Sequence, residues 1–114
     1  MLKLLAFICA KQDLSREAFI EHYETHHVPL VRRLLPMIGE YRRNYVDKDA
    51  SGGSSRNFEY DVVTELLFAD RAALDAFWET IRRPEVIAAI REDEARFLQS
   101  DKTRLIGVVQ YDGK

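Results

Sequence analysis

The chain has 114 residues, 46% of them hydrophobic and 32% charged, with a formal net charge of −2. That length suits a single domain, residues 1–114, with a core of modest size, and the small net charge gives neither nucleic acid nor an anionic membrane surface much to hold. One cysteine, Cys9, excludes an intrachain disulfide and a thiolate metal cluster. It reads as a small buried hydrophobe, because no neighbouring cation is evident to activate it. The opening decapeptide, MLKLLAFICA, is too short to span a bilayer and lacks the cleavage pattern of a secretory leader. A cytoplasmic location is expected.

Residues 2–10 (LKLLAFICA) read as a strand that is apolar on both sides, with Leu5, Phe7 and Cys9 on one face and Leu4, Ile8 and Ala10 on the other. Residues 14–36 (LSREAFIEHYETHHVPLVRRLLP) then read as an amphipathic helix. Ser15 is its expected N-cap, with Glu17 in the first turn. Phe19, Tyr23, His27, Leu30 and Leu34 recur at spacings of four, four, three and four, which places His27 among core residues. His26 falls at the edge of this stripe and His22 further round, toward solvent. Pro29 has no N–H for the carbonyl of Thr25, so a kink or break is expected one turn from His27.

Residues 38–47 (IGEYRRNYVD) form the second expected strand, with Tyr41, Arg43 and Tyr45 alternating against Glu40, Arg42 and Asn44. The Gly/Ser-rich stretch 48–57 is a long hairpin connection. Residues 59–69 form the third strand, with Tyr60, Val62, Thr64, Leu66 and Phe68 on one face and Val63, Glu65 and Leu67 on the other. Asp70 caps a helix carrying Leu74, Phe77, Trp78 and Ile81, and Pro84 opens a further helix with Val86, Ile87, Ile90, Phe97 and Leu98 as packing residues. Residues 103–111 make the last strand. The order β-α-β-β-α-β is that of an α+β, ferredoxin-like antiparallel sheet with helices on one face. Since several strands are apolar on both sides, the face without helices needs a cover, and a second copy of the chain in a homodimer is the simplest one.

Taken together, SREAFIEHYETHHVPLV with its His27-Val28-Pro29 element, IGEYRRNYV, TELLF and EDEARFL resemble the EthD family of the dimeric α/β-barrel superfamily. The resemblance runs over nearly the whole chain. It implies two ferredoxin-like subunits paired sheet to sheet, with a pocket in each between helices and sheet. It also implies the company of small polyketide cyclases, dehydratases, decarboxylases, monooxygenases and isomerases, several of which need no metal or organic cofactor. Many members carry an aromatic–Trp pair ahead of the histidine, where this chain has His22-Tyr23.

His27 is the leading catalytic candidate, because an imidazole both takes and gives protons near neutral pH and an apolar setting keeps it a neutral base. His26 and Tyr41 are candidates to polarise a substrate oxygen. Asp93 reads by spacing as part of a solvated helix face, and the resemblance of its DEARF segment to the family implies a role in orienting a pocket group such as a histidine N–H. Phe19, Tyr23, Leu30, Asn44, Glu65, Phe68 and Trp78 are the expected substrate contacts, Glu65 either facing an apolar interior or pairing with Arg42 or Arg43. No metal is expected. His26 and His27 diverge by about 100° on a helix, and the His22/His26 pair has no evident third ligand. The function expected is a cofactor-independent isomerase, dehydratase or other lyase acting on a small apolar oxygenated substrate such as a lactone, phenolic or polyketide-like ring. An EthD-type oxidoreductase or cofactorless monooxygenase is one alternative, although no Gly-rich dinucleotide fingerprint is present. A non-enzymatic binder of a hydrophobic metabolite is the other. RNA binding is set aside, since EYDVVTELLF lacks the basic-Gly-aromatic pattern that stacks bases.

Overall fold

The structure, a computed structural model, describes residues 2–113. In chain order it contains β1 (Leu2–Ile8), α1 (Arg16–His22), one wide π turn (Tyr23–His27), α2 (Val28–Leu34), β2 (Glu40–Tyr45), β3 (Val62–Phe68), α3 (Arg71–Ile81), α4 (Pro84–Glu94) and β4 (Arg104–Val108). The strands form one antiparallel sheet in the order β2-β3-β1-β4, the ferredoxin-like arrangement. Each strand is shorter than its sequence pattern suggested. β1 ends at Ile8, and Ala10 makes only a single bridge to Leu98. The connection 48–57 is polar and mostly exposed, and it winds into two short 3-10 turns.

Alternation decides the layers. Leu4, Ala6 and Ile8 of β1 and Val62, Thr64, Leu66 and Phe68 of β3 point under the helices and are buried. Leu5, Phe7, Val63, Glu65 and Ile106 share the opposite face, which no helix covers. The helices are started by the residues expected. Ser15 accepts a hydrogen bond from the Ala18 N–H at 3.1 Å, and Asp70 accepts one from Ala73 at 2.9 Å. Pro84 sits in the first turn of α4, where its missing N–H costs nothing.

The first helical segment departs from the expected stripe. Its buried positions are Phe19, Tyr23, His27, Val31 and Leu35, while Leu30 and Leu34 are only half-buried. A regular α-helix read every fourth residue drifts by about 40° per step, so a constant spacing of four needs a wider turn. The π turn supplies it, with the Val28 N–H donating to the Tyr23 carbonyl five residues back. Pro29 removes the N–H that an α-helix would give to Thr25. The break expected near Pro29 is therefore a bulge that keeps the helix continuous and advances its register by one residue.

Phe97, just beyond α4, is fully buried where α1, the π turn and α4 meet. Its ring packs on Phe19, His22, Tyr23 and His27 with centroids 4.7–5.7 Å apart. Phe97→Ala therefore removes a shared packing surface, and urea denaturation is expected to show a loss of about 3–5 kcal/mol.

Candidate functional site

Between the sheet and the helices lies a cavity of about 110 Å³. Its walls are mostly apolar, from Ala6, Ile8, Leu66 and Leu105 on the sheet side and Val31, Leu35, Phe77, Ile81 and Ile90 on the helix side. Six polar residues interrupt them: Tyr23, His27, Tyr41, Thr64, Glu94 and Thr103. Leu105 lies on the edge strand β4 and is 36% exposed, so the cavity reaches the surface along that edge.

His27 comes from the end of the π turn and is buried. Its Nδ1 lies 2.8 Å from Asp93 Oδ2, and the second carboxylate oxygen lies 2.9 Å from His22 Nε2. With the carboxylate ionised, both imidazoles donate to it. His27 is then the Nδ1–H tautomer, and its Nε2 lone pair is left for the cavity that the residue lines. Burial lowers the His27 pKa below the ordinary imidazole value, and the bond and charge of Asp93 offset only part of that fall. Burial alone would raise Asp93, but the hydrogen bonds from His27 and His22 outweigh it and leave the carboxyl below its usual range. The resting site is a neutral imidazole backed by an anion.

A second polar group faces the same space. The Tyr23 and Thr64 hydroxyls lie 2.7 Å apart, and the Tyr41 hydroxyl donates toward Tyr23 at 3.5 Å. Burial pushes both phenols up, Tyr41 well above the ordinary value, so both stay protonated and act as donors. The Arg43 guanidinium lies 5.0 Å from the Tyr41 ring centroid and forks onto Glu24 at 2.8 and 2.9 Å. Glu24 also accepts a bond from Tyr45 at 2.6 Å. This ties the start of the π turn to β2 and so fixes His27 relative to Tyr41.

Of the expected site residues, the structure brings His27, Tyr23 and Tyr41 to the cavity wall and sets Asp93 behind His27. The others lie elsewhere. His26 is exposed, its ring tilted against that of the half-buried His22 at 4.9 Å, because the wider π turn in which His26 lies carries it away from the buried stripe. Asn44 and Glu65 lie on the outer sheet face, where Asn44 donates to Glu65 and Lys3 pairs with Glu65 at 2.7 Å. The bonds from Lys3 and Asn44 hold the Glu65 carboxyl below its usual range, the reverse of an interior carboxyl, and its ion-pair partner is Lys3 rather than Arg42 or Arg43. Phe19 and Phe68 are core residues away from the cavity, and Leu30 and Trp78 are half-buried outside it. Three polar wall residues had not been singled out. Thr64 was detectable as a hydroxyl alternating with Val62 and Leu66 on a buried face. Glu94 and Thr103 carried no such signal.

The pKa shifts set an acid limit. Between the ordinary imidazole value and the lowered one of folded His27, the unfolded chain binds the extra proton. Stability therefore falls as pH drops through that window, and falls again where Asp93 protonates. Asp93→Asn removes the anion that partly restores the His27 pKa. NMR titration of the ring is expected to show a further drop in its pKa.

The family model described as EthD domain matches residues 11–101. No curated protein matches the chain at a significant level. Among solved structures, an ethyl tert-butyl ether D (EthD) family protein from Bacillus halodurans is similar over 97% of this chain and 100% of its own, with TM-score 0.65 and 20% identity. A protein from Arabidopsis thaliana is similar over 100% and 99%, with TM-score 0.69 and 16% identity. A dimeric ferredoxin-like protein of unknown function from Jannaschia sp. is similar over 96% and 98%, with TM-score 0.60 and 17% identity.

Proposed function

The chain belongs to the EthD domain family, and from that premise we propose that it is a small cofactor-independent enzyme in which His27 moves a proton on a small, apolar, oxygenated substrate. The observation that carries this reading is the His27–Asp93 bond at the wall of an apolar cavity. The ring is anchored through Nδ1, which leaves its basic nitrogen for the mostly apolar cavity that the residue lines. His27 takes a proton from the carbon next to a carbonyl, and Asp93 stabilises the imidazolium that forms. The electron pair of the broken C–H bond delocalises onto the carbonyl oxygen, where the Tyr41 hydroxyl, whose O–H otherwise makes only a long 3.5 Å bond to Tyr23, is the donor at hand. Return of the proton to a different carbon gives isomerisation, and expulsion of a group gives a lyase reaction.

The cavity limits the substrate. At about 110 Å³ it is somewhat smaller than the ~150 Å³ engineered apolar cavity that admits benzene, so one small ring or a lactone is the size expected. Among the described residues no lysine or arginine lines it, which favours neutral compounds over carboxylates.

The same reading makes the active form a homodimer, with two copies pairing through the sheet face that the helices leave bare. Ile106 is 45% exposed there beside Leu5, Phe7 and Val63, and the similar Jannaschia protein is described as dimeric.

Metal-free protein is to be incubated in D2O with lactones and aromatic hydroxyketones, and deuterium uptake next to the carbonyl followed by NMR. Uptake is expected with wild type and is expected to fall by at least about a hundredfold in His27→Ala. Undiminished turnover by that variant sinks the assignment, oxygen or NAD(P)H consumption points to an oxidoreductase, and tight binding without turnover that survives the substitution points to a binding protein. Sedimentation is expected to show a dimer for wild type and a folded monomer for Ile106→Asp.

A further inference from the structure

Helix α4 ends with two successive carboxyls that face different surroundings. Asp93 is engaged by two imidazoles, and Arg96 also lies 3.6 Å from it. Glu94, the next residue, lines the cavity. The residue is half-buried, and its side-chain bond is one long, exposed contact, 3.4 Å, from the Ser100 hydroxyl. This differs from the structural carboxylates of the same chain. Glu24 is forked by Arg43 and Glu65 is paired with Lys3, each at 2.7–2.9 Å. Glu94 has no such counter-ion among the described residues. Arg91 and Asp93 on its own helix are the charged groups that act on it, and the titratable groups sharing the cavity with it are His27, Tyr23 and Tyr41.

We propose that Glu94 is a second catalytic residue, a general acid that protonates a hydroxyl leaving from the carbon β to the substrate carbonyl, so that the cavity dehydrates small neutral β-hydroxy ketones. This rests on the reading of His27 as the base. His27 Nε2 takes the α-proton, and the pair from that C–H bond becomes the new C=C bond. The β C–O bond breaks with its pair on oxygen, and that oxygen takes the Glu94 proton and leaves as water. The protein is left with an imidazolium and a carboxylate, and loss of the His27 proton to solvent with uptake of one by Glu94, through the open edge at Leu105, restores the starting state. No oxidant, reductant or co-reactant is required. Burial raises the Glu94 carboxyl and lowers the His27 imidazole, so the two titration ranges move toward each other. The absence of lining cations fits a neutral substrate, and the exposed edge at Leu105 gives water a way out.

The test uses 4-hydroxybutan-2-one, a small β-hydroxy ketone, with the full chain in D2O. NMR follows two signals from the same ketone, α-deuteration and formation of the enone but-3-en-2-one. Wild type is expected to give both, and His27→Ala neither. Glu94→Gln is expected to cut enone formation by at least about a hundredfold and α-deuteration by much less, so that the ratio of the two falls. Glu94→Asp, which keeps an acid on a shorter arm, is expected to recover part of the enone rate. Enone formation by Glu94→Gln within about tenfold of wild type overturns the inference and leaves His27 as base. An equal loss of both signals in Glu94→Gln, with no recovery in Glu94→Asp, also overturns it. α-Deuteration without enone in wild type overturns dehydration alone, and no α-deuteration in wild type overturns both the inference and the reading it rests on.

Discussion

One wide helical turn sets the geometry on which the interior depends. The bond from the Val28 N–H to the Tyr23 carbonyl skips one residue more than an α-helix allows. As a result five side chains spaced by four, from Phe19 to Leu35, all point into the core. With regular α-helical turns, the second half of the segment would present Leu30 and Leu34 in place of Val31 and Leu35. π turns are tolerated where packing and function outweigh the poorer hydrogen bonding, and here the turn ends on His27.

The rest of the site is a set of restraints on that turn. Asp93 holds the two imidazoles from α4, Phe97 packs beneath them, and Glu24 ties the start of the turn through Arg43 and Tyr45 to β2. The charges are arranged in series. The Glu24–Arg43 pair stands behind Tyr41, and Asp93 stands behind His27. The groups that face the cavity itself are a neutral ring, two phenols, two hydroxyls and one carboxyl without a cation. An apolar space bounded in this way suits proton transfer on neutral molecules better than recognition of ions.

Part of the candidate site was legible in the sequence. His27 falls on the apolar stripe with either width of turn, because it lies two steps of four from Phe19. Tyr41 was readable as one face of a short strand, whereas Asp93 rested on the resemblance of its segment to the EthD family and spacing alone gave a solvated helix face. His26 and His22 were exchanged because their order round the helix depends on the width of the turn, and a wheel of about 100° per residue does not contain that width. Glu65 alternates with Val63 and Leu67 and so resembles an interior carboxyl. Which face of a two-sided apolar strand receives the helices is not a property of the strand.

Local pattern therefore determined the element order, the caps at Ser15 and Asp70, the α+β class and the inward direction of His27. Each depends on residues within a turn or a pleat of one another. Tertiary structure decided the pairing of His27 and His22 on Asp93, 66 and 71 residues away. It also decided that Thr64, Glu94 and Thr103 line one cavity, and that a half-buried carboxyl at a charged helix end reaches its wall. Those outcomes follow from which surfaces meet when sheet and helices close, and the burial that shifts a proton affinity exists only after they have met.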